Sequence, residues 1–407
     1  MDWISKCVAT RLGGSQFEQQ VPYKFETIKQ LKNKYLQSPI LPLLDLGIGE
    51  PDGTAPTCAI ETLQYACTLQ AYGKYADNGA DFFKSSIVEY LQTIFNVSRI
   101  DTEQILPVLG IKSGLCLLAG TLINPGDLVA CTIPGYNVFS TQTRYLGGEV
   151  HPLPLTPDNH FLPDFSVIPE TIKHRIKVIC LNYPNNPTGA IANLTFYQNL
   201  IKMALHYHWI ILQDAAYSAL SFQEPISILQ IPDAEKCCVE LHSMSKGFNM
   251  TGWRLGWLCG NKTIIKACSM YKNNCDSGQF LAIQKAASVA LKHASMWLPK
   301  LHNKYKQRLC KLYRILTQHH FTPFNSQAGF FLYAQSPHKA IKTSTDQTFT
   351  FSNAFAFSQW LLQNLGIVTV PWDDCGAYLR FSVTFSSENE EDFFADLDQR
   401  LGHYQFQ

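Results

Sequence analysis

The feature that most constrains the fold is a repeated alternation of short apolar runs with helical patterns. Each of these runs leads into a turn that contains polar residues or glycine. The runs are 104–109, 127–132, 176–181, 208–213 and 236–242. Strands that alternate with helices build a mostly parallel sheet. The sequence therefore predicts an α/β fold, with ligands bound in the crevice at the carboxyl ends of the strands.

Length and composition limit what this fold can do. The 407 residues are 46% hydrophobic and 16% charged, which allows a substantial core in two domains or in one large domain with a satellite. The net charge of +1, without a basic block, argues against nucleic acid as a partner. No apolar run approaches the roughly 18 residues that span a bilayer, and the first residues include an early acid and no apolar core of a signal peptide.

Cysteine and histidine usage indicates a reduced protein without a metal site. The 13 cysteines are odd in number and irregular in spacing, and no C-x-x-C occurs, which is typical of free thiols in a cytoplasmic protein. His206 and His208 would supply half a metal site, but no third ligand lies nearby in the sequence. We therefore expect no metal.

The segment 241–257 places Ser243, Ser245, Lys246 and Arg254 close together. A lysine attacks carbonyl groups when desolvation or neighbouring cations remove its proton. The serines and the arginine could hold a dianion such as a phosphate. A lysine that forms an imine beside a phosphate clamp indicates pyridoxal 5′-phosphate. Taken alone, the pattern also fits a surface lysine in a glycine- and serine-rich loop.

Two further strand ends favour the same chemistry. Asp214 follows the run 208–213, where a carboxylate can keep a pyridine nitrogen protonated, although it could also cap a helix. Ile111 and Lys112 follow Gly110 and open a helix, whose free amides and positive dipole end suit a phosphate.

Two residues outside those turns fit contacts with the cofactor ring or with a substrate. Tyr136 could stack on a pyridine ring or be a core tyrosine. Arg380 stands between aromatic residues, where a charge is costly unless paired, so it either grips a substrate carboxylate or forms a structural salt bridge.

Together these motifs resemble those of the class I and II aminotransferases, which have fold type I, and they occur in the family's order over nearly the whole chain. The motifs are Asn186-Pro187-Thr188-Gly189, Asp214-x-x-Tyr217, Ser243-x-x-Lys246 and Arg254. The resemblance implies a large domain with a mostly parallel seven-stranded sheet and a smaller α/β domain. It implies an arm with part of the small domain at 1–45, the large cofactor-binding domain at 46–295 and the small domain at 296–407.

The resemblance also implies a role for each site residue. Lys246 would form the imine with pyridoxal 5′-phosphate and move protons, Asp214 would keep the ring nitrogen protonated, and Tyr217 and Asn186 would contact the phenolic oxygen. The implied cofactor ligands further include Tyr75 from the other subunit of a homodimer, Ile111, Lys112, Tyr136, Ser243, Ser245 and Arg254. The implied substrate contacts are Tyr23, Gly49, Lys112, Tyr136, Asn186 and Arg380.

The implied activity is ping-pong transfer of an amino group between an amino acid and a 2-oxo acid. The wording of the motifs is most similar to that of the LL-diaminopimelate aminotransferases, which implies LL-2,6-diaminopimelate and 2-oxoglutarate as substrates. Lys112 supports this because it can meet a distal carboxylate. No arginine occurs between Arg254 and Arg308, where aspartate-specific relatives bring one from the partner, so a dedicated aspartate enzyme is disfavoured.

Other functions remain open at this point. An aspartate, aromatic or broad-specificity aminotransferase is the alternative within the family, and lyases and decarboxylases share the fold and the lysine. A non-catalytic sensor with this fold is the alternative from another class. The presence of Lys246, Asp214 and Arg380 argues against it, because a sensor need not retain them. Amino-acid-dependent absorbance change with release of a 2-oxo acid separates the two classes.

Four local interpretations remain. A helix starts after Pro22, and Tyr23 is either a substrate contact or an aromatic staple. Gly47-x-Gly49 resembles a dinucleotide motif, but the missing third glycine argues against it. Residues 253–259 are predicted to be an antiparallel strand, as the family pattern implies. Residues 336–350 are predicted to be an exposed loop, a candidate insertion on the substrate side.

Overall fold

The computed structural model describes residues 3–19, 24–276, 278–385 and 389–407. The helices are α1 Lys24–Leu36, α2 Thr57–Cys67, α3 Asp81–Phe95, α4 Ile111–Leu122, α5 Val138–Tyr145, α6 Glu170–Lys173, α7 Leu194–Tyr207, α8 Met244–Gly247, α9 Lys262–Lys272, α10 Leu281–Lys292, α11 Ala294–Gln318, α12 Ala354–Leu365 and α13 Glu390–Leu401. The first eight strands are β1 Leu44–Asp45, β2 Ile105–Val108, β3 Leu128–Ile133, β4 Glu149–Pro154, β5 Ile176–Asn182, β6 Ile210–Asp214, β7 Cys238–Ser243 and β8 Gly256–Gly260. The other strands are β9 Thr322–Pro323, β10 Phe331–Gln335, β11 Lys339–Lys342, β12 Thr348–Thr350, β13 Ile367–Val368, β14 Val370–Trp372, β15 Tyr378–Ser382 and β16 Tyr404–Phe406.

A seven-stranded sheet in the order β2-β8-β7-β6-β5-β3-β4 confirms the predicted α/β fold. All neighbouring pairs are parallel except those of β8, which is antiparallel to β2 and to β7. The predicted antiparallel strand therefore exists, but it begins at Gly256. The preceding residues turn instead, because 251–253 form a short 3-10 helix and Arg254 has a left-handed backbone with φ 54°.

The seventh strand, β4, is one that the residue pattern does not identify. It lies at the edge of the sheet and pairs only with β3 among the described strands. Most of its residues are partly or fully exposed, and it contains Pro152 and Pro154. Proline lacks an amide donor and is confined largely to edge strands, so the sequence carries no buried-strand signal here.

Helices cover both faces of this sheet because successive side chains of a strand point to opposite sides. On β7, Cys238 joins a core formed with α3 and α10, whereas Val239 and Leu241 join a core formed with α4. The turns at the carboxyl ends of the parallel strands are thereby left between these helices and the rest of the chain, where a ligand can enter.

The C-terminal part of the chain forms a second layer of smaller sheets. A four-stranded sheet has the order β14-β15-β10-β9, and all its pairs are antiparallel. Strand β1 pairs in parallel with β13, which ties the segment before the large sheet to this layer. A separate apolar core, with residues such as Leu361, Phe381 and Leu397, lies beneath α11, α12 and α13.

The prediction of an exposed loop over 336–350 is wrong. Strands β11 and β12 form an antiparallel hairpin, and β11 also pairs with β16. Ala340 is fully buried, and the ring of Phe349 lies 5.4 Å from that of Trp360. The polar residues of the outer face conceal this pattern in the sequence. Residues 336–350 do not contribute to the lining of either cavity described below.

Candidate active site

A cavity of about 770 Å³ lies at the carboxyl ends of β5, β6 and β7, between the large sheet and β15. It brings together residues that the sequence spreads over more than three hundred positions. The predicted residues that line it are Gly49, Ile111, Lys112, Tyr136, Asn186, Asp214, Tyr217, Ser243, Ser245, Lys246, Arg254 and Arg380. Tyr75 lies elsewhere and is 98% exposed. Tyr23 falls outside the described residues.

Lys246 lies on α8, a single helical turn after β7. Its Nζ donates a hydrogen bond of 2.6 Å to the carbonyl oxygen of Gly49. Burial lowers the pKa of Lys246 to about 8; the charge of Glu50 opposes this shift, and Arg380 reinforces it. The lowered pKa makes the neutral amine, which a nucleophile or a proton acceptor requires, far more accessible near neutral pH than in an ordinary lysine.

Asp214 ends β6 and is 4% exposed. Burial raises the pKa of its carboxyl to about 7, although a hydrogen bond from the amide of Ala216 and the charge of Lys246 both lower it. The helix-cap alternative is not what the structure shows, because the 3-10 helix that follows, Ser218–Leu220, has Tyr217 at its N-cap. A buried carboxylate of this kind favours a cationic group in the cavity.

Tyr217 packs beside this carboxylate with its ring centroid 5.7 Å from that of Phe330 and 5.6 Å from that of Phe331. Burial raises the pKa of the phenol well above its ordinary value. The hydroxyl therefore stays protonated at physiological pH and can donate a hydrogen bond into the cavity.

The N-terminus of α4 and the region around Arg254 form a cradle for an anion. Gly110 caps α4 with φ 78° and makes no side-chain cap, so the first amides of this 12-residue helix face outward. A Cβ on Gly110 would lie 2.5 Å from a guanidinium nitrogen of Arg254. Arg254 is held in place by hydrogen bonds to the carbonyl oxygens of Thr251 (2.8 Å) and Leu109 (3.2 Å).

Two serines complete the donors on this side of the cavity. Ser243 caps α8, and its hydroxyl accepts a hydrogen bond of 3.0 Å from the amide of Ser245. Hydroxyls, helix amides and a guanidinium form a donor set that fits a phosphate. Glycine is required at position 110, because a side chain there would displace the arginine from the helix end.

Arg380 lies on the opposite wall, on β15, and is 1% exposed. Its guanidinium donates to the Oδ1 of Asn186 (3.0 Å) and to the carbonyl oxygen of Gly47 (3.1 Å), and lies 4.0 Å from the ring centroid of Phe331. A Cβ on Gly49 would lie 3.7 Å from the same guanidinium. These contacts orient a buried fork of donors that can receive a carboxylate.

Sequence reasoning missed several residues that line this cavity. Glu50 follows the recognised Gly47-x-Gly49 segment, so its position in that turn was an available signal. A second cavity of about 460 Å³ adjoins the first and shares Tyr136, Asn186 and Asp214 with it. Its lining also includes Lys24, Trp372 and Asp374, for which the local sequence carried no functional signal.

Neither a grouped set of metal ligands nor a membrane-spanning helix occurs among the described residues. In the part of the chain that the structure describes, no three histidine, cysteine, aspartate or glutamate residues are grouped so as to hold a metal ion. Among the described residues, no helix has the length and apolar character needed to cross a membrane.

Comparison with known proteins matches this arrangement to a family. The sequence profile of the family described as "Aminotransferase class I and II" matches residues 42–396. The LL-diaminopimelate aminotransferase of Methanocaldococcus jannaschii is 42% identical over 95% of this chain and 92% of the relative. The LL-diaminopimelate aminotransferase of Methanococcus maripaludis is 38% identical over 99% of each chain.

Solved structures share the fold. The substrate-bound structure of BacF from Bacillus subtilis is 28% identical, covers 95% of this chain and 96% of its own, and has a TM-score of 0.86. An aspartate aminotransferase from Thermus thermophilus has a TM-score of 0.85 over 97% of this chain and 99% of its own. At 22% identity the second similarity bears on the fold alone.

Proposed function

Because the chain belongs to the class I and II aminotransferases, we propose that it transfers an amino group from LL-2,6-diaminopimelate to 2-oxoglutarate, yielding tetrahydrodipicolinate and glutamate. The observation that carries this proposal is the 42% identity, over 95% of the chain, to a relative named for that substrate. Such a reaction supplies precursors of lysine and of the cell wall. The presence of Lys246, Asp214 and Arg380 in one cavity supports an enzyme rather than a sensor.

Pyridoxal 5′-phosphate is part of the proposal, since the buried Asp214 and the donor cradle fit its ring nitrogen and its phosphate. Arg254, Ser243, Ser245 and the first amides of α4 would bind the phosphate. When bound, this cofactor supplies an aldehyde carbon that accepts an amine and a ring that accepts the electron pair of a broken Cα–H bond.

The chain's own residues bind, orient and move protons around that group. Arg380 binds the α-carboxylate of the amino acid, and Tyr217 and Asn186 donate hydrogen bonds to the phenolic oxygen. Lys246 takes the proton from the substrate Cα and later returns a proton, because the pKa of about 8 keeps its Nζ able to do both. Asp214 keeps a proton on the ring nitrogen, and Tyr136 packs against the ring.

Lys112 supports a dicarboxylic substrate. It lies in the first turn of α4 and lines the larger cavity together with the phosphate donors. We propose that it contacts the phosphate and also the side-chain carboxylate of substrates such as glutamate and 2-oxoglutarate. A serine at this position would leave the phosphate contact to the helix amides and remove the contact with that carboxylate.

A homodimer with shared active sites and a cytoplasmic setting complete the proposal. Tyr75 is 98% exposed and outside the cavity of its own chain, although related enzymes use a tyrosine here to bind the cofactor phosphate. A second copy of the chain would bring Tyr75 to that phosphate. Sedimentation would detect the dimer, and Tyr75→Phe should weaken cofactor retention in it.

A panel of single half-reactions tests the substrate. The holoenzyme would be mixed separately with LL-diaminopimelate, meso-diaminopimelate, glutamate, aspartate and phenylalanine, and conversion of the cofactor to its amine form would be followed by absorbance. We expect fast conversion with LL-diaminopimelate and glutamate only. Fast conversion with aspartate or phenylalanine and none with diaminopimelate would retain the chemistry and refute the substrate.

A further inference from the structure

The second cavity ends at a charged pair that the proposed chemistry does not use. Lys24, in the first turn of α1, places its Nζ 3.3 Å from the Oδ2 of Asp374 and 3.7 Å from the ring centroid of Trp372. The pair lines the same void as Asn186 and Asp214. The few charged groups in a ligand cavity fix the orientation of the ligand and provide specificity.

Strand register sets the spacing between this pair and the carboxylate arginine. In β14 and β15, Val370 is opposite Arg380 and Trp372 is opposite Tyr378. Directly opposite residues of an antiparallel pair face the same side, and so do residues two apart along a strand. Trp372 therefore lies on the same face as Arg380, displaced by two residues, or about 7 Å.

We call the face of β14 and β15 that runs from Arg380 to Trp372 the strip. Helix α1 covers both of its ends. The ring centroid of Phe25 lies 5.3 Å from the guanidinium of Arg380, while the neighbouring Lys24 lies over Trp372. A substrate whose α-carboxylate binds Arg380 and whose chain follows the strip arrives at Lys24 and Asp374. A chain of three methylene groups between two amino acid ends has a comparable length.

The electrostatics of the pair suit an end group that carries both charges. The side chains of Lys24 and Asp374 are 35% and 45% exposed, and both residues line the second cavity. Burial lowers the pKa of Lys24 even though Asp374 raises it, and Arg380 lowers it further. A ligand carboxylate beside Lys24 and a ligand ammonium beside Asp374 would replace one ion pair with two, leaving no charge unpaired.

We propose that Lys24, Trp372 and Asp374 form a subsite for the distal ammonium–carboxylate end of a diamino dicarboxylic substrate. The proposal rests on the proposed function and names the residues that recognise the distal end of that substrate. The distal carboxylate pairs with Lys24, and the distal ammonium pairs with Asp374 against the face of Trp372. Glutamate and 2-oxoglutarate have no distal ammonium. Their distal carboxylate contacts Lys112, which lines only the larger of the two cavities.

The subsite also discriminates between stereoisomers. Two opposite charges at fixed positions and the methylene chain make three contacts with the distal carbon. Exchanging the ammonium and the carboxylate at that carbon would set each against a like charge, which costs binding free energy. The subsite therefore selects LL-diaminopimelate over the meso form when the reacting end is an L centre.

The test uses the holoenzyme and the concentration dependence of single half-reactions, which separates an apparent dissociation constant from a maximal rate. Asp374→Asn and Lys24→Gln should each raise the apparent dissociation constant for LL-diaminopimelate by about tenfold, since each removes one charge-assisted contact. The apparent dissociation constant for glutamate should change by less than about twofold, and the preference for the LL over the meso form should fall. The matched control is Lys32→Gln, because Lys32 on the same helix pairs with Asp45 at 2.6 Å outside both cavities.

A charge swap, Lys24→Glu combined with Asp374→Lys, tests the alternative that the pair only ties α1 to the loop after β14. Recovery of LL-diaminopimelate binding in the swap would overturn the subsite, since the tie is restored while the polarity is reversed. Equal losses for glutamate and LL-diaminopimelate in the single variants would also overturn it. Failure of the wild-type enzyme to convert LL-diaminopimelate at all would instead refute the proposed substrate, and the subsite with it.

Discussion

Two buried aspartates show how differently one residue type can be used in a single chain. Asp214 faces the cavity and is 4% exposed, and burial raises the pKa of its carboxyl to about 7. The side chain of Asp52 is 7% exposed, yet its pKa lies below the ordinary value. Burial alone would raise the pKa of Asp52, but hydrogen bonds from Lys304 (2.8 Å) and Arg308 (2.7 Å) outweigh it.

Asp214 is buried more deeply, but the partners also differ, because Asp52 has two cationic donors within hydrogen-bond distance. Arg308 also pairs with Glu390, so Asp52 belongs to an ion-pair network between the loop after Gly49 and two helices of the C-terminal layer. Every charge in that network is compensated, so removal of one partner would leave a buried charge unpaired and lower the free energy of unfolding. The cavity instead keeps charges ready for a ligand at the expense of stability. The network also holds the loop whose Gly49 carbonyl binds Lys246.

The largest effect is expected at the lysine of the cavity. Lys246→Ala should lower turnover by at least about 10⁴-fold, since it removes both the nucleophile and the proton carrier. Steady-state assays and the absorbance of the bound cofactor would measure it. Substantial turnover in this variant would show that the cavity charges do not carry the chemistry.

Asp214→Asn should separate activity from stability. Turnover should fall by about 10²- to 10⁴-fold. The free energy of unfolding of the cofactor-free chain should rise by on the order of 2–4 kcal/mol above pH 7. The sign follows from the raised pKa: the folded state favours the protonated carboxyl, so the wild type loses stability as the pH rises from 3.8 to about 7. Denaturant melts at pH 5 and pH 8 would test this, and a loss of stability at pH 8 would contradict it.

Arg380→Ala should raise KM by about a hundredfold for every amino acid, because all of them share the α-carboxylate. Lys246 and Asp214 remain in place, so kcat should fall by a smaller factor than KM rises. Initial rates with glutamate and LL-diaminopimelate would measure both. An unchanged KM would mean that the carboxylate binds elsewhere and that Arg380 has a structural role.

Asp52→Asn should give the opposite pattern to Asp214→Asn. We expect a loss of about 2–3 kcal/mol near pH 7, because Arg308 is left partly unpaired, with only a few-fold change in turnover. The lowered pKa means that this stabilisation is present above pH 3.8 and is lost as the pH falls below it. Lys311→Gln is the control, since its pair with Glu391 joins the same two helices at the surface and contributes little.

Most of the fold could be predicted from local patterns. The buried parallel strands are visible in the sequence as apolar runs. Helices such as α9 and α11 are visible because apolar residues recur every three or four positions. The edge strand β4 and the hairpin of β11 and β12 could not be predicted in this way. Their exposed faces carry polar residues or prolines, and only pairing with β3 and β16 makes them strands.

The sequence by itself determined which residues line the larger cavity, because Asn186, Asp214 and Lys246 lie at or just after the carboxyl ends of strands that the apolar runs predict. Only the tertiary structure decided how deeply these side chains are buried and which charges lie beside them. The pKa of Asp214 depends on burial by distant elements, and the pair of Lys24 and Asp374 joins residues 350 positions apart. Local sequence encodes the period and the turn, whereas burial and charge pairing are properties of the packed chain.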